Sequence, residues 1–319
     1  MSPYERLVRA VPAALKEARR SPMLAPLTIS RPWLKFGAFI LLTIAAFFGA
    51  GLVYGIVTLI FPDLRTMMTG ESSPLPETSD RLLHEGAEAF GMSGILGLMA
   101  LAILLPAMTV YGQRFCAFLW PSRRFDLSHF WVGGLTMTCL AVIALPWHMW
   151  QGAEWAPPIA NALYDDWTKP AYVVLMAVGL LIAAAAEEIV FRGVLLRLTA
   201  LVVRHPLLIC LINGLAFSAL HLDPNPVAFV ARMMSGAIWT WAALRLGGLE
   251  FATGAHLAHN LMISLLWAPL SEIDVGADTP WTALAPEVVT AVVIVLMTER
   301  LANRSDAPDL NDLAPRGAA

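Results

Sequence analysis

The stretch AYVVLMAVGLLIAAAAEEIVFRGVLL, residues 171–196, decides how the whole chain is read. No charged residue interrupts it before Glu187, and it exceeds the roughly 20 apolar residues that cross a bilayer. It then sets two carboxylates and Arg192 side by side at its end. Seven further apolar segments lie around it, at 36–61, 90–112, 130–150, 206–222, 227–246, 251–269 and 282–298. The expected fold is therefore all-α, a polytopic integral membrane helix bundle of about eight transmembrane helices. The segment at 282–298 starts beside Pro286 and Glu287, which places part of it outside the bilayer in this reading. Composition agrees, because 58% hydrophobic and 14% charged residues with a mean hydropathy of +0.65 leave too little polar surface for a water-soluble fold.

A formal net charge of -3 gives no basic surface, so nucleic acid is not an expected partner; the lipid bilayer is. The basic residues divide by side. Those of the first 35 residues, with Arg114, Arg123, Arg124, Arg192, Arg197, Arg204, Arg245, Arg300, Arg304 and Arg316, fall on one face when the N-terminus is cytoplasmic. The other face receives Arg65, Arg81 and Lys169 with the acidic Glu71, Glu77, Asp80, Glu85, Glu88, Glu272, Asp274 and Asp278. Both termini are expected in the cytoplasm, and the composition points to a bacterial plasma (inner) membrane. Cys116, Cys139 and Cys210 fit neither a disulfide framework nor a zinc knuckle and read as packing residues. Residues 3–20 place Tyr4, Leu7, Val8, Val11 and Leu15 opposite Arg6, Arg9, Lys16 and Arg20, the pattern of a helix in the headgroup plane, bent or shortened by Pro12.

Ionisable residues inside apolar segments mark candidate chemistry. Glu188 and Arg192 are four apart and share a helix face, whereas Glu187 points about 100 degrees away. Glu188 thus has a partner and Glu187 has none. An unpaired carboxylate beside a like charge in low dielectric is expected to hold its proton more tightly, as a general base near neutral pH must. His221 ends the fifth segment. The turn between the fourth and fifth segments centres near Arg204, 17 residues from Glu187 and from His221, so a hairpin brings the two level. His256 and Asn260 share a face of the seventh segment; His259, one turn along, reads as interhelical hydrogen-bonding glue.

EExxxR at Glu187, Glu188 and Arg192, FxxxH at Phe217 and His221, and HxxxN at His256 and Asn260 follow one another on apolar helices. In this order they resemble the CAAX protease and bacteriocin-processing (CPBP or Abi) family of intramembrane glutamic endopeptidases, over residues 171–268. The resemblance implies a metal-independent, cofactor-free site. Glu187 would activate a water, His221 would position it, and His256 with Asn260 would form the oxyanion hole. Glu188 and Arg192 would be the supporting pair. The implied substrate is a peptide bond of a membrane-associated protein or peptide, lipidated or not. The organisation expected on this basis is an amphipathic cytoplasmic arm at 1–33, N-terminal transmembrane helices at 34–170 and the catalytic core at 171–268. A loop and last helix follow at 269–304, then a disordered tail at 305–319.

One difficulty is geometric. His256 lies eight residues after Gly248 and Glu187 lies 17 before the Arg204 turn, a mismatch of about 13 Å of helix. A hairpin of segments four and five that projects into the cytoplasm removes it and puts the site near the cytoplasmic leaflet. Four other readings compete. A zinc protease could use His221, His256, His259 and Glu187, but the chain has no HExxH. A rhomboid-like serine protease could use the GxSG at Gly91 to Gly94, but no histidine matches its depth. A non-catalytic scaffold or immunity protein could retain the family fold. A transporter would show matching broken helices in two halves, and no internal repeat is found.

Overall fold

Prolines and a glycine punctuate the chain where its apolar segments end. In the computed structural model, which describes residues 3–27, 30–60, 79–121, 123–153, 155–267 and 279–305, each apolar segment is a helix. The helices are α1 (Pro3–Ala18), α2 (Pro32–Ile60), α3 (Ser79–Tyr111), the short α4 (Phe115–Leu119) and α5 (Leu127–Trp150). After them come α6 (Thr168–Thr199), α7 (Pro206–Leu220), α8 (Pro226–Leu246), α9 (Glu250–Leu266) and α10 (Leu284–Ser305). No strand occurs among the described residues. Pro206 and Pro226 open α7 and α8, where a missing N–H costs nothing. Asn225 caps α8 by accepting from the N–H of Val227 and Ala228, and Gly247, at φ 66°, ends it in the left-handed conformation.

The protein is thus a polytopic helical membrane bundle. α2 packs on α3 and leaves Leu41, Phe48 and Leu59 exposed, a surface that only lipid tails would cover. Among the described residues six helices are long and apolar enough to cross a bilayer: α2, α3, α5, α6, α8 and α10. The other two expected spans are corrected by length. α7 has 15 residues and α9 has 17, so α7 is about 22 Å long against a hydrocarbon core of about 30 Å. α7 stops at Leu220 because Leu222, at φ 53°, and Pro224 turn the chain back at once. α10 extends past the expected end, held there by Glu299, which accepts from Trp241 and Arg245.

The arm also differs from expectation. α1 continues through Pro12, and Ala14, Leu15 and Ala18 pack on the bundle's core, so part of its apolar face is docked on protein. Cys210 is buried, but Cys116 and Cys139 are exposed and do not pack inside. Arg65, Glu71, Glu77, Glu272, Asp274, Asp278, Arg316 and the expected disordered tail beyond Ser305 lie outside the described residues.

Close helix crossings hold the bundle. α5 meets α9 where a Cβ on Gly133 would collide with the Phe251 carbonyl and one on Gly254 with the Phe130 carbonyl. Backbones approach this closely only where side chains are absent. Gly254→Ala should push α5 and α9 apart and destabilise the protein by about 1–3 kcal/mol, the usual cost of overpacking. Gly55 has open space around its missing Cβ, so Gly55→Ala should change little. Thermal unfolding in detergent compares them, and equal midpoints would remove the crossing from the account of stability.

At one end of the bundle several elements lock together. The Leu249 N–H donates to the Leu119 carbonyl at 3.0 Å, and Arg123 grips both oxygens of buried Glu250 at 2.9 and 2.6 Å. Arg197, near the end of α6, donates to the carbonyls of Ala25 and Ala117. Arg245 holds Glu299 of α10 at 2.9 Å. The described ends of the chain, α1 and the last turns of α10, therefore lie at this same end.

Candidate active site

Gly193 fixes the register of the site. A Cβ there would lie 3.1 Å from the Phe118 carbonyl and 3.7 Å from Leu249 Cδ1, so Gly193 and Leu249 are level at the locked end. α6 runs toward that end and α9 runs away from it. Glu187 is six residues before Gly193 and His256 seven after Leu249, so both rise roughly 10 Å into the bundle and meet. The 13 Å mismatch disappears because α6 continues past Gly193 to Thr199, beyond the level of the α8–α9 turn.

At the point of meeting α6 changes its winding. Residues Ile189–Leu195 form a π-helix, the i→i+5 pattern that often marks functional positions. Glu188 and Arg192 still pair across it, Arg192 Nη1 donating to Glu188 Oε1 at 2.9 Å. Both side chains are completely buried, so Arg192, counted among the cations of the cytoplasmic face, is neutralised inside the bundle and not solvated; Arg197 is buried as well. Arg192 Nη2 donates to the Gly236 carbonyl at 3.1 Å, and its guanidinium lies 4.8 Å from the Phe217 ring and 5.4 Å from that of Trp239. The same Glu188 Oε1 accepts from His256 Nδ1 at 2.9 Å. His256 stacks on Trp239, ring centroids 4.5 Å apart, so its plane is fixed from one side and its Nδ1 from another.

Glu187 has different surroundings. Its Oε2 lies 3.8 Å from His256 Nε2, outside hydrogen-bond distance, and is buried without a hydrogen-bond partner. The side chain borders three cavities. One, of about 110 Å³, is shared with His221, His256 and Asn260. A second, of about 410 Å³, runs past Tyr172, Met176 and Asn260, and a third, of about 430 Å³ and mostly apolar, past Phe47, Leu96 and His221. A carboxylate oxygen left unsatisfied beside open space is set to accept from whatever enters.

His221 caps α7, and its Nδ1 lies 2.8 Å from the Phe217 carbonyl. A carbonyl only accepts, so Nδ1 carries a hydrogen, and the ring borders two of the Glu187 cavities. The Asn260 side-chain amide makes no hydrogen bond to the described residues and faces two of the Glu187 cavities. Glu187, Glu188, Arg192, His221, His256 and Asn260 are all brought together. His259 is not the interhelical glue expected of it: it forms no hydrogen bond among the described residues, and its ring meets Trp239 edge-on in the cavity wall. Ser93 of the GxSG stretch donates to the Ala89 carbonyl of its own helix at 2.6 Å. Among the described residues no three His, Cys, Asp or Glu side chains converge as a metal-holding set.

Three wall residues escaped the sequence reading. Trp239 and Glu287 line the small cavity, and so does Arg232, whose guanidinium donates to Asp223 at 2.7 Å. The Asn225 N–H and Arg232 hold the Asp223 carboxyl below the usual carboxylate range. Arg232 was legible as a charge inside an apolar segment, whereas Trp239 looks like any core aromatic until its ring is seen against His256.

A buried carboxylate–histidine cluster inside a polytopic membrane bundle defines the class of protein. Residues 169–262, which contain all six clustered residues, match the family described as type II CAAX prenyl endopeptidase Rce1-like. The chain is also 32% identical over 129 residues to the uncharacterized protein YyaK of Bacillus subtilis (strain 168), an alignment covering 38% of this chain and 42% of that protein. The chain thus spans less than half the length of this curated relative. No solved structure matches it. The protein is therefore an integral membrane protein whose residues 169–262, similar to that family, carry the clustered side chains.

Proposed function

We propose that the protein is an intramembrane endopeptidase that hydrolyses a peptide bond of a membrane-associated protein or peptide with water activated by Glu187. The observation that carries this reading is the free Oε2 of Glu187, open to three cavities and facing His256, with His221 and Asn260 in the same wall. Water entering between Glu187 and His221 gives a proton to the carboxylate while the lone pair of His221 Nε2 accepts its other hydrogen. The oxygen attacks the carbonyl carbon, and the oxyanion that forms accepts from the Asn260 amide and from His256 Nε2. Because His256 Nδ1 already donates to Glu188, Nε2 donates only in the doubly protonated ring, and the Glu188 carboxylate offsets that charge once Glu187 has taken the water's proton. The oxyanion then returns to a carbonyl as the C–N bond breaks, and the proton on Glu187 passes to the departing amine nitrogen. Glu188 and Arg192 are positioning residues, acting through His256. In this reading both termini are cytoplasmic in a bacterial cell, with the site near the cytoplasmic leaflet.

Purified protein in nanodiscs should cleave members of a membrane-tethered peptide library equally well with and without a chelator. Loss of cleavage on chelation would replace the glutamate reading with a metal-dependent one. Folded protein without cleavage in any condition would favour a non-catalytic scaffold or immunity protein.

A further inference from the structure

At the locked end, the last turn of α1 and the 3₁₀ turn Pro22–Leu24 face the end of α6 across a cavity of about 370 Å³. Its wall carries Arg19, Arg20 and Ser21 on one side and Val203 and Arg204 on the other, and no carboxylate lines it. Arg19 and Arg204 have no carboxylate partner among the described residues. Arg20 meets Glu17 at 3.3 Å in an exposed pair, a contact too weak to occupy the guanidinium. Three cations in a concavity with apolar walls of Pro22, Leu24 and Val203 focus a positive potential on its interior.

The walls are fixed although the arginine tips are exposed. Met23, Leu24 and Ala200 are buried in the core, Ser21 Oγ accepts from the Met23 N–H, and Arg197 ties the end of α6 to the Ala25 carbonyl at 3.0 Å. The exposed side chains around it suit a membrane surface. α1 is amphipathic with Val11 exposed, and Trp33 and Leu34, at the start of lipid-facing α2, are exposed as interfacial anchors are.

We infer that this cavity binds the phosphate of an anionic phospholipid headgroup. Arginine forks match phosphate oxygens in pairs, and a ring of them at the rim of a helical bundle suits a headgroup. The bound phosphate bridges α1 to the end of α6, the helix that carries Glu187, and so fastens the arm to the site's own scaffold. This inference is independent of the proposed hydrolysis.

The test uses full-length protein in detergent, titrated with dioctanoyl phosphatidylglycerol, dioctanoyl phosphatidylcholine or inorganic phosphate. Native mass spectrometry and thermal unfolding are the readouts. Wild type and Arg300→Ala, which removes an exposed cation elsewhere at this end, should retain phosphatidylglycerol and gain several degrees of midpoint from it. Arg19→Ala/Arg204→Ala should retain at least tenfold less and gain nothing, and the single exposed-tip variant Arg204→Glu should do the same if the double variant unfolds. Equal retention by the variants, or an equal shift with phosphatidylcholine, would overturn the site. An equal shift with inorganic phosphate would overturn the lipid source.

Discussion

Glu187→Gln should remove cleavage while leaving the protein folded. The amide keeps the volume and one acceptor oxygen but cannot take a proton from water, and loss of a general base costs roughly 10²–10⁴-fold in kcat. The thermal midpoint should hardly move, because Glu187 Oε2 makes no hydrogen bond whose loss would weaken the bundle. KM should also be nearly unchanged, since the substrate would be bound by the cavity walls. A structural carboxylate would behave in the opposite way, with a lower midpoint and activity reduced only in proportion to the folded fraction. Cleavage by the Gln variant at more than a tenth of the wild-type rate would end the assignment of Glu187 as the base. Asn260→Ala, tested beside it, should lose roughly 10²–10³-fold in kcat as one oxyanion donor is removed.

Much of this site can be read from spacing alone because helices translate spacing into faces. Glu188 and Arg192, four apart, pair as expected even though the helix widens into a π segment between them. The hairpin argument also placed His221 beside Glu187, and both border the same cavities. Spacing could not reveal that His256 donates to Glu188, because that contact depends on the register between α6 and α9. The register is set where Gly193 meets the Phe118 carbonyl and the Leu249 side chain, a contact that no periodicity encodes. The short α7 was misread as a span for a related reason: hydropathy counts apolar residues but not the point at which Leu222 and Pro224 end the helix. Counting Arg192 toward the cytoplasmic face rests on the side preference of cations, a rule for solvated charges that does not apply to one neutralised inside the bundle.

That neutralisation sets the largest expected effect on stability. Glu188 and Arg192 are both 0% exposed, and His256 donates to the same carboxylate oxygen, so the three form one unit. Removing one partner of a buried pair leaves the other charge with neither solvent nor counter-ion, at a cost of about 3–5 kcal/mol. Glu188→Gln and Arg192→Met should each cost about this much. Combining them removes both charges at once, so the double variant should be less destabilised than the sum of the two, and the difference measures their coupling. Activity should not recover with stability. Without the Glu188 carboxylate His256 loses the acceptor that orients its ring, so the double variant should be more stable than the summed losses predict yet cleave no faster than either single variant. Unfolding in mixed micelles together with cleavage by the folded fraction separates the two effects. Additive losses would mean that the pair is not coupled, and restored cleavage would mean that Glu188 does not act through His256.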